Sequence, residues 1–103
     1  MTLEYVPLEK LLDRISRRWT MYILWILDTK GKLRFGELKR EVDGISTKVL
    51  TDRLRMLEKT GIVHRSYEPT IPPKVSYELT ERGKELSIPL YKLCELATDW
   101  YDC

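Results

Sequence analysis

Five polar side chains recur along one face of the segment from residue 46 to residue 55, and their types suit contact with nucleic acid. They are Ser46, Thr47, Lys48, Thr51 and Arg55. Positions three, four or seven residues apart share one face of an α-helix. Hydroxyl, ammonium and guanidinium groups donate hydrogen bonds to base edges and phosphate oxygens. We therefore expect this face to contact DNA, with an ordinary solvated helix face as the alternative.

One acidic residue, Asp52, lies on the same face and would repel phosphate. It is expected to form a salt bridge with a neighbour such as Arg55, and acceptance of a hydrogen bond from a cytosine amine is the alternative. Arg53 is expected at the edge of the buried face, with its aliphatic stem packed on the following hairpin.

Two short amphipathic helices joined by a tight turn position this polar face. Their apolar residues recur at helical spacing, with Phe35, Leu38 and Val42 in the first helix and Leu50, Leu54 and Leu57 in the second. Gly44 can adopt the positive φ that ends a helix, and Ile45 can pack in the angle between the helices. Ser46 is a good N-cap for the second helix. The pattern predicts a helix-turn-helix.

A β-hairpin is predicted directly after these helices. Thr60-Gly61 ends the second helix, and strands follow at Ile62–Tyr67 and Lys74–Leu79. The second strand alternates, with Val75, Tyr77 and Leu79 on one side and Lys74, Ser76 and Glu78 on the other. The intervening PTIPP segment cannot pair in a sheet, so it forms a stiff tip. A short strand is also expected at Lys32–Arg34.

Three further helical segments are predicted. A first helix runs from about Leu8 to Ser16, and Trp19–Leu27 is apolar nearly all round, which predicts a central core helix that ends at Gly31. Thr80 caps a last helix, which Gly83 and Pro89 bend or split. The fold class is therefore mainly α with a small β-hairpin, a winged helix-turn-helix with a three-helix core, a wing and extra terminal helices.

Cations outside the presumed reading helix are candidates for phosphate contacts. Arg34 and Lys39 belong to the first helix of the motif, with Arg40 as a weaker candidate, and Lys74 is the cation nearest the hairpin tip. Thr70 and Ile71 at that tip either approach a minor groove or form a plain turn. These contacts position a protein on DNA and do not read its sequence.

Apolar residues of the terminal helices exceed what a small core needs. Expected at a dimer interface are Leu8, Leu12, Leu90, Leu93, Ala97 and Trp100. A set of aromatic residues either lines a small-molecule pocket near the dimer axis or, the interpretation we favour, packs in the core and interface. That set is Tyr5, Trp19, Tyr22, Trp25, Tyr91, Trp100 and Tyr101.

Length and charge limit the remaining possibilities. The 103 residues, 43% of them hydrophobic, suit one domain over residues 1–103. Neither a membrane span nor a signal peptide is apparent, and a cytoplasmic location is expected. The net charge is +2, but residues 30–65 carry ten Lys and Arg against five Asp and Glu. The positive charge is therefore concentrated on the segment that contains the predicted helix-turn-helix.

The residues that usually hold metals or perform catalysis are few. His64 is the one histidine, and no partner stands at ligand spacing from it, so no metal or other cofactor is expected. The sequence offers no phosphate loop and no nucleophile paired with a base, which argues against an enzyme. Cys94 is expected to be a buried small hydrophobe, and Cys103 exposed at the end of the chain.

Three blocks of the sequence closely resemble the HxlR-type family of prokaryotic transcriptional regulators, a branch of the MarR-like winged-helix superfamily. They are RRWTMYIL, LRFGELKREVDGISTKVLTDRLRMLEKTGIV and PPKVSYELTERGKEL, in that order and register. The resemblance covers almost the whole chain, and it implies a homodimer that binds a pseudo-palindromic operator in double-stranded DNA, more often as a repressor. A winged-helix module for protein association that does not bind DNA is the alternative.

The resemblance also implies a thiol sensor in many members, at a cysteine just before the proline that opens the first helix. Here that position is Val6. A thiol switch needs an accessible cysteine placed so that its modification moves the reading helices. We therefore expect oxidation to leave DNA binding nearly unchanged and any control to come from protein abundance or from a small-molecule effector, whose identity the sequence does not reveal.

Overall fold

The computed structural model describes residues 5–101 and contains five helices and three strands in that range. In chain order they are α1 (Tyr5–Ile15), α2 (Thr20–Lys30), β1 (Leu33–Arg34), α3 (Phe35–Glu41), α4 (Thr47–Lys59), β2 (Val63–Glu68), β3 (Lys74–Leu79) and α5 (Glu81–Tyr101). The mainly helical fold with a small sheet confirms the predicted class. None of these helices is long and apolar enough to cross a lipid bilayer.

Helix α2 lies at the centre of the core, as its apolar sequence predicts. Ile23, Leu24 and Leu27 are at most 2% exposed. Trp19 precedes the helix in the left-handed conformation, with φ of 78°, so the helix begins one residue later than its apolar run. Gly31, also at φ of 78°, ends the helix. Leu38, Val42, Ile45, Leu50, Leu54 and Leu57 pack into the same core from α3, α4 and the turn between them.

The sheet has three antiparallel strands in the order β1-β3-β2. The short strand β1 was predicted, and it makes β3 the central strand, with Arg34 opposite Ser76 on one side and Ser66 opposite Ser76 on the other. Both predicted sides of β3 are at least partly buried. Ser76 is buried, and Lys74 and Glu78 are half-buried, because a central strand has neighbours along both edges.

Helix α5 continues from Glu81 to Tyr101 through Pro89, so the predicted split does not occur. Its start is fixed as predicted by Thr80, whose hydroxyl oxygen accepts a hydrogen bond from the Gly83 amide at 3.2 Å. The same hydroxyl lies 2.5 Å from the Gly61 carbonyl oxygen and 3.2 Å from that of Ile62, and donates to them. One side chain thus joins the end of α4, the root of β2 and the first turn of α5.

Helix α1 begins at Tyr5, earlier than predicted, and among its residues 7–15 only Ile15 enters the core. Ile15 is 6% exposed, whereas Leu8, Leu11 and Leu12 are 49%, 38% and 47% exposed. Three adjacent leucines are thus left in contact with water in the single chain, which is unfavourable for apolar side chains.

The close approach of α5 to the root of β2 gives a test of this packing. A Cβ atom at Gly83 would overlap the Ile62 carbonyl oxygen and lie 3.2 Å from Leu79 Cβ, whereas a Cβ atom at Gly36 in α3 would meet nothing within 4 Å. We expect Gly83→Ala to lower the free energy of unfolding by about 1 to 3 kcal/mol. Gly36→Ala, the matched control, should be neutral or stabilise by up to about 1 kcal/mol, since alanine favours helix.

Urea unfolding followed by circular dichroism measures both changes. Equal free energies of unfolding for the two variants would contradict the packing described here.

Candidate nucleic-acid interface

The N-terminus of α4 is built around the predicted cap. The hydroxyl oxygen of Ser46 accepts a hydrogen bond from the Val49 amide at 3.1 Å, and Gly44 has the positive φ, 89°, that the turn requires. Because this cap fixes where the helix begins, it also fixes which residues follow on its outer side. Thr47 and Lys48 lie in the exposed first turn. The first amides of a helix carry partial positive charge and favour anions such as phosphate.

The outer face of α4 presents the predicted residues together. Thr47, Lys48 and Arg55 are exposed and Thr51 is half-buried, while Leu50, Leu54 and Leu57 occupy the opposite, buried side. Neither Lys48 nor Arg55 forms an ion pair among residues 5–101. Both cations are therefore available to an external anion.

Asp52 forms the expected salt bridge with a neighbour, and that neighbour is Arg53 rather than Arg55. Its carboxylate oxygen lies 2.6 Å from Nη1 of Arg53, not against Arg55. Nε of Arg53 donates a second hydrogen bond, at 3.0 Å, to the carbonyl oxygen of Arg18. Arg53 thus lies on the flank of α4 that faces the connection between α1 and α2. The sequence pattern does not reveal this flank.

The pairing has an electrostatic consequence for the outer face of α4. Of the two exposed carboxylates of α4, Asp52 and Glu58, Asp52 is matched by Arg53, which is held in place by the main chain of Arg18. The charge of Arg55 is therefore not compensated by Asp52. The face as a whole is positive.

The candidates for phosphate contacts occupy two further elements. Arg34 is exposed at the junction of β1 and α3, where its amide donates to the Glu37 carboxylate at 2.9 Å. Lys39 is half-buried, whereas Arg40, the weaker candidate from the sequence, is exposed. Arg65, exposed on β2, was not singled out, although its charge contributes to the basic segment.

The hairpin of β2 and β3 is the wing of the fold, and hydrogen bonds within its tip close the turn. The Thr70 hydroxyl donates to the Pro72 carbonyl oxygen at 2.8 Å, and the Thr70 amide donates to the Glu68 carbonyl oxygen at 2.8 Å. Ile71 at the tip is fully exposed. Lys74 is half-buried and stands opposite Glu68 in the strand register, so the base of the tip carries both signs of charge.

The predicted dimer residues divide into two groups. Leu8, Leu12, Leu93, Ala97 and Trp100 are exposed, with Trp100 at 67%. Leu90 is 5% exposed and belongs to the core of the single chain, so its assignment to the exposed stripe is wrong. The difference arises because the first half of α5 packs on the core and the second half extends past it. Ile88 and Leu96, which the sequence analysis omitted, are also exposed.

Cys94 is exposed, so the prediction of a buried cysteine is wrong. It lines an open cleft of about 520 Å³ with Trp25, Tyr91, Glu95, Thr98 and Asp99. The residues of α5 from Tyr91 to Tyr101 are all exposed, although Trp25 of α2 lies against Tyr91. Cys103 and the side chains of Tyr5 and Val6 lie outside what the structure describes.

Part of the aromatic set packs within the chain. The rings of Trp25 and Tyr91 lie 4.6 Å apart between centroids, at 54°, and join α2 to α5. A hydrogen bond to the Asp28 carboxylate, with burial and the Asp28 charge, raises the pKa of the Tyr91 phenol. Tyr22, Trp100 and Tyr101 are more than half exposed. Among residues 5–101, no three His, Cys, Asp or Glu side chains come together as metal ligands.

The arrangement of a capped helix, a tight turn and a three-stranded wing is that of winged helix-turn-helix transcriptional regulators, and comparisons with known proteins agree. The family model for the HxlR-like helix-turn-helix matches residues 14–103. The HTH-type transcriptional regulator sll1512 of Synechocystis is 41% identical over 96 residues, which cover 93% of this chain and 70% of that protein. The chain therefore belongs to the HxlR-like family of helix-turn-helix transcriptional regulators.

Solved structures agree with this assignment. A transcriptional regulator of the MarR family from Enterococcus faecalis V583 superposes with a TM-score of 0.83 at 40% identity, covering 97% of this chain and 91% of that one. The HTH-type regulator YtcD of Bacillus subtilis is 43% identical over 89 residues, covering 86% of this chain and 70% of YtcD. A structure of ytcD superposes with a TM-score of 0.87 at 38% identity and covers both chains in full.

The Asp52–Arg53 pair yields a prediction about DNA affinity. Asp52→Asn removes one negative charge from the exposed surface of α4, so we expect duplex DNA of any sequence to bind a few-fold more tightly at low salt. Asp52 is exposed, with 66% of its side chain accessible, and Arg53 keeps its hydrogen bond to the Arg18 carbonyl oxygen, so the substitution should change the free energy of unfolding by less than about 1 kcal/mol.

Fluorescence anisotropy with a labelled duplex measures the affinity, and Asp99→Asn on α5 is the matched control that should leave it unchanged. Weaker binding by Asp52→Asn would show instead that Asp52 accepts a hydrogen bond from a base.

Proposed function

We propose that this protein binds a pseudo-palindromic operator in double-stranded DNA as a homodimer and represses transcription by occupying a promoter. The observation that carries the proposal is the exposed, unpaired pair of cations, Lys48 and Arg55, on the free face of the capped helix α4. This is the face that a helix presents when it enters a major groove.

Helix α4 is the reading helix of the proposal. Lys48 and Arg55 are seven residues apart, so their Cα atoms are separated by about 10 Å along the helix axis. Arginine and lysine bind the acceptors of guanine in the major groove, and the Thr47 and Thr51 hydroxyls suit several bases. These four residues are the proposed determinants of sequence preference.

The positioning contacts come from around the reading helix. Arg34, Lys39, Ser46 and Lys74 are assigned to phosphates, and the exposure of Arg40 and Arg65 adds both to that group. Ile71, fully exposed on a hydrogen-bonded tip, is assigned to an apolar contact in the minor groove. Residues 69–73 at the tip carry no charge, so their own contact contributes little to the salt dependence of binding, in contrast to that of Lys74.

The proposed dimer is supported by two exposed apolar faces, one on α1 and one on the second half of α5. Leu8 and Leu12 on α1, and Leu93, Leu96 and Trp100 on α5, are between 41% and 67% exposed in the single chain. Two-fold pairing would remove these side chains from water. The two reading helices of such a dimer meet half-sites about 34 to 36 Å apart on one side of the duplex.

The assignment of the reading face is tested by Lys48→Ala and Arg55→Ala. Each should weaken binding to the selected operator by about 1 to 3 kcal/mol per lost base contact while the fold is retained. Selection of bound duplexes from a random pool supplies the operator, and titration of that duplex measures the loss. Lys92→Ala, an exposed cation on α5, is the control that should bind as the unaltered protein does.

Unchanged operator affinity in both α4 variants would overturn the assignment. If no duplex can be selected from the pool, and added DNA causes no change at the basic residues, a module for protein association is favoured.

The dimer is tested by Trp100→Asp, which places a charge within the proposed apolar interface and should yield monomers. Tyr67→Asp is the matched control, since Tyr67 is 57% exposed on β2, away from α1 and α5. Size-exclusion chromatography with light scattering gives the mass of each. An unaltered protein that is monomeric at micromolar concentration would refute the proposal.

A further inference from the structure

The connection between α1 and α2 carries two arginines that have no part in the α4 face. Arg17 and Arg18 are exposed, whereas Trp19, which follows them, is half-buried and packs against the core. Neither arginine forms an ion pair within the described part of the chain. Guanidinium groups bind phosphate oxygens through several N–H donors, so this exposed pair has the chemistry for a phosphate site.

The Arg17–Arg18 pair lies beside the exposed surface of α4. Arg53 of α4 joins the two, because its Nη1 lies 2.6 Å from the Asp52 carboxylate and its Nε donates to the Arg18 carbonyl oxygen at 3.0 Å. One guanidinium group thus separates the main chain of Arg18 from an exposed side chain of α4. The major groove of DNA is about 12 Å wide and is bounded by the two phosphate backbones. A helix that enters this groove therefore has a phosphate backbone along its flank, where Arg17 and Arg18 lie.

Trp19 holds the side chain of Arg18 near the start of α4. The Arg18 guanidinium carbon lies 4.8 Å from the centroid of the Trp19 ring. The same ring reaches the turn before α4, since a Cβ atom at Gly44 would lie 3.5 Å from Cη2 of Trp19. Stacking engages the face of a guanidinium group and leaves the N–H donors at its edge free for phosphate. Because Arg18 is restrained before DNA binds, its contact costs less conformational entropy.

We propose that Arg17 and Arg18 form a further phosphate-binding site for duplex DNA, which we call the junction site, and that Trp19 positions Arg18 in it. The ligand is the DNA backbone beside the groove that α4 enters, so the junction site rests on the proposed function and extends its contacts beyond the helix-turn-helix and wing. Every base pair presents the same phosphates, so the junction site contributes affinity and register but no sequence preference.

The salt dependence of DNA binding by the full chain tests the junction site. In the proposed dimer, Arg17→Ala and Arg18→Ala each remove two phosphate contacts, so the slope of log affinity against log salt should become shallower by about 1.8. The fall in affinity between 50 and 200 mM salt then becomes about twelvefold smaller. Fluorescence anisotropy with the selected operator measures the slopes. Lys92→Ala, on the exposed half of α5, is the matched control that should keep the slope of the unaltered protein.

Sequence preference separates the junction site from the reading face. Arg18→Ala should weaken binding to the operator and to a scrambled duplex of the same composition by the same factor, whereas Lys48→Ala should weaken operator binding more. If Arg18→Ala weakens operator binding more than it weakens binding to the scrambled duplex, its assignment to phosphate is overturned.

The role of Trp19 is tested by Trp19→Leu, which removes the ring, and by Trp19→Phe, which keeps an aromatic face. We expect Trp19→Leu to reproduce the shallower slope of Arg18→Ala and Trp19→Phe to retain most of the original slope. Added to Arg18→Ala, Trp19→Leu should change the slope no further, because the two side chains act through one contact. An unchanged slope in Trp19→Leu, with the fold retained by circular dichroism, would overturn the positioning role.

Methylphosphonate, an uncharged analogue of the phosphate group, locates the contact when it replaces single phosphates along the operator. At the phosphate bound by the junction site, the replacement should weaken binding by the unaltered protein and leave binding by Arg18→Ala unchanged. Unchanged salt slopes in both arginine variants, with operator binding still weakened by Lys48→Ala, would refute the junction site and leave the proposed function in place. If the unaltered protein binds no duplex, the proposed function and the junction site both fail.

Discussion

Burial of helix α2 is the interaction on which the remaining elements depend. Ile23, Leu24 and Leu27 are almost completely removed from water, and α3, β3 and α5 all pack against this helix. A fully buried side chain of this size contributes roughly 1.5 to 3 kcal/mol. Because the apolar surface of α2 extends nearly all round, these three elements pack on different sides of it. Helix α4 joins the same core through Leu50, Leu54 and Leu57, which leaves its outer face for charged side chains.

The parts of the fold that follow from local chemistry could be predicted from sequence. Gly31, Gly44 and Gly61 each stand at a positive φ that ends or turns a helix, and Ser46 and Thr80 each cap the helix that follows. These signals act within three or four residues, and the apolar spacing of α3 and α4 supplies the rest. The winged helix-turn-helix fold could therefore be predicted from the sequence alone.

The features that sequence missed depend on which element lies beside a residue in space. Helical spacing places Leu90 and Leu93 on similar faces of α5 but does not say where along that helix the core ends, so Leu90 is buried and Cys94 exposed. Asp52 pairs with Arg53 because the Arg18 carbonyl draws Arg53 to that flank. Ser76 is buried because β1 pairs with β3, a contact between segments more than 40 positions apart. The prediction that the outer face of α4 is exposed does not depend on these features, since it follows from the burial of Leu50, Leu54 and Leu57 on the opposite side of the helix.

The hydroxyl of Thr80 connects the end of α4, the start of the wing and α5, because it is hydrogen-bonded to Gly61, Ile62 and Gly83. Helix α5 has 21 residues and is therefore about 31 Å long. A tilt of about 5° at this connection displaces the far end of the helix by nearly 3 Å, from its length alone. In the proposed dimer, paired through those far ends, this angle sets the distance between the two copies of α4. The long helix would then act as a lever, through which a small rotation at Thr80 changes how well that distance matches the pitch of DNA.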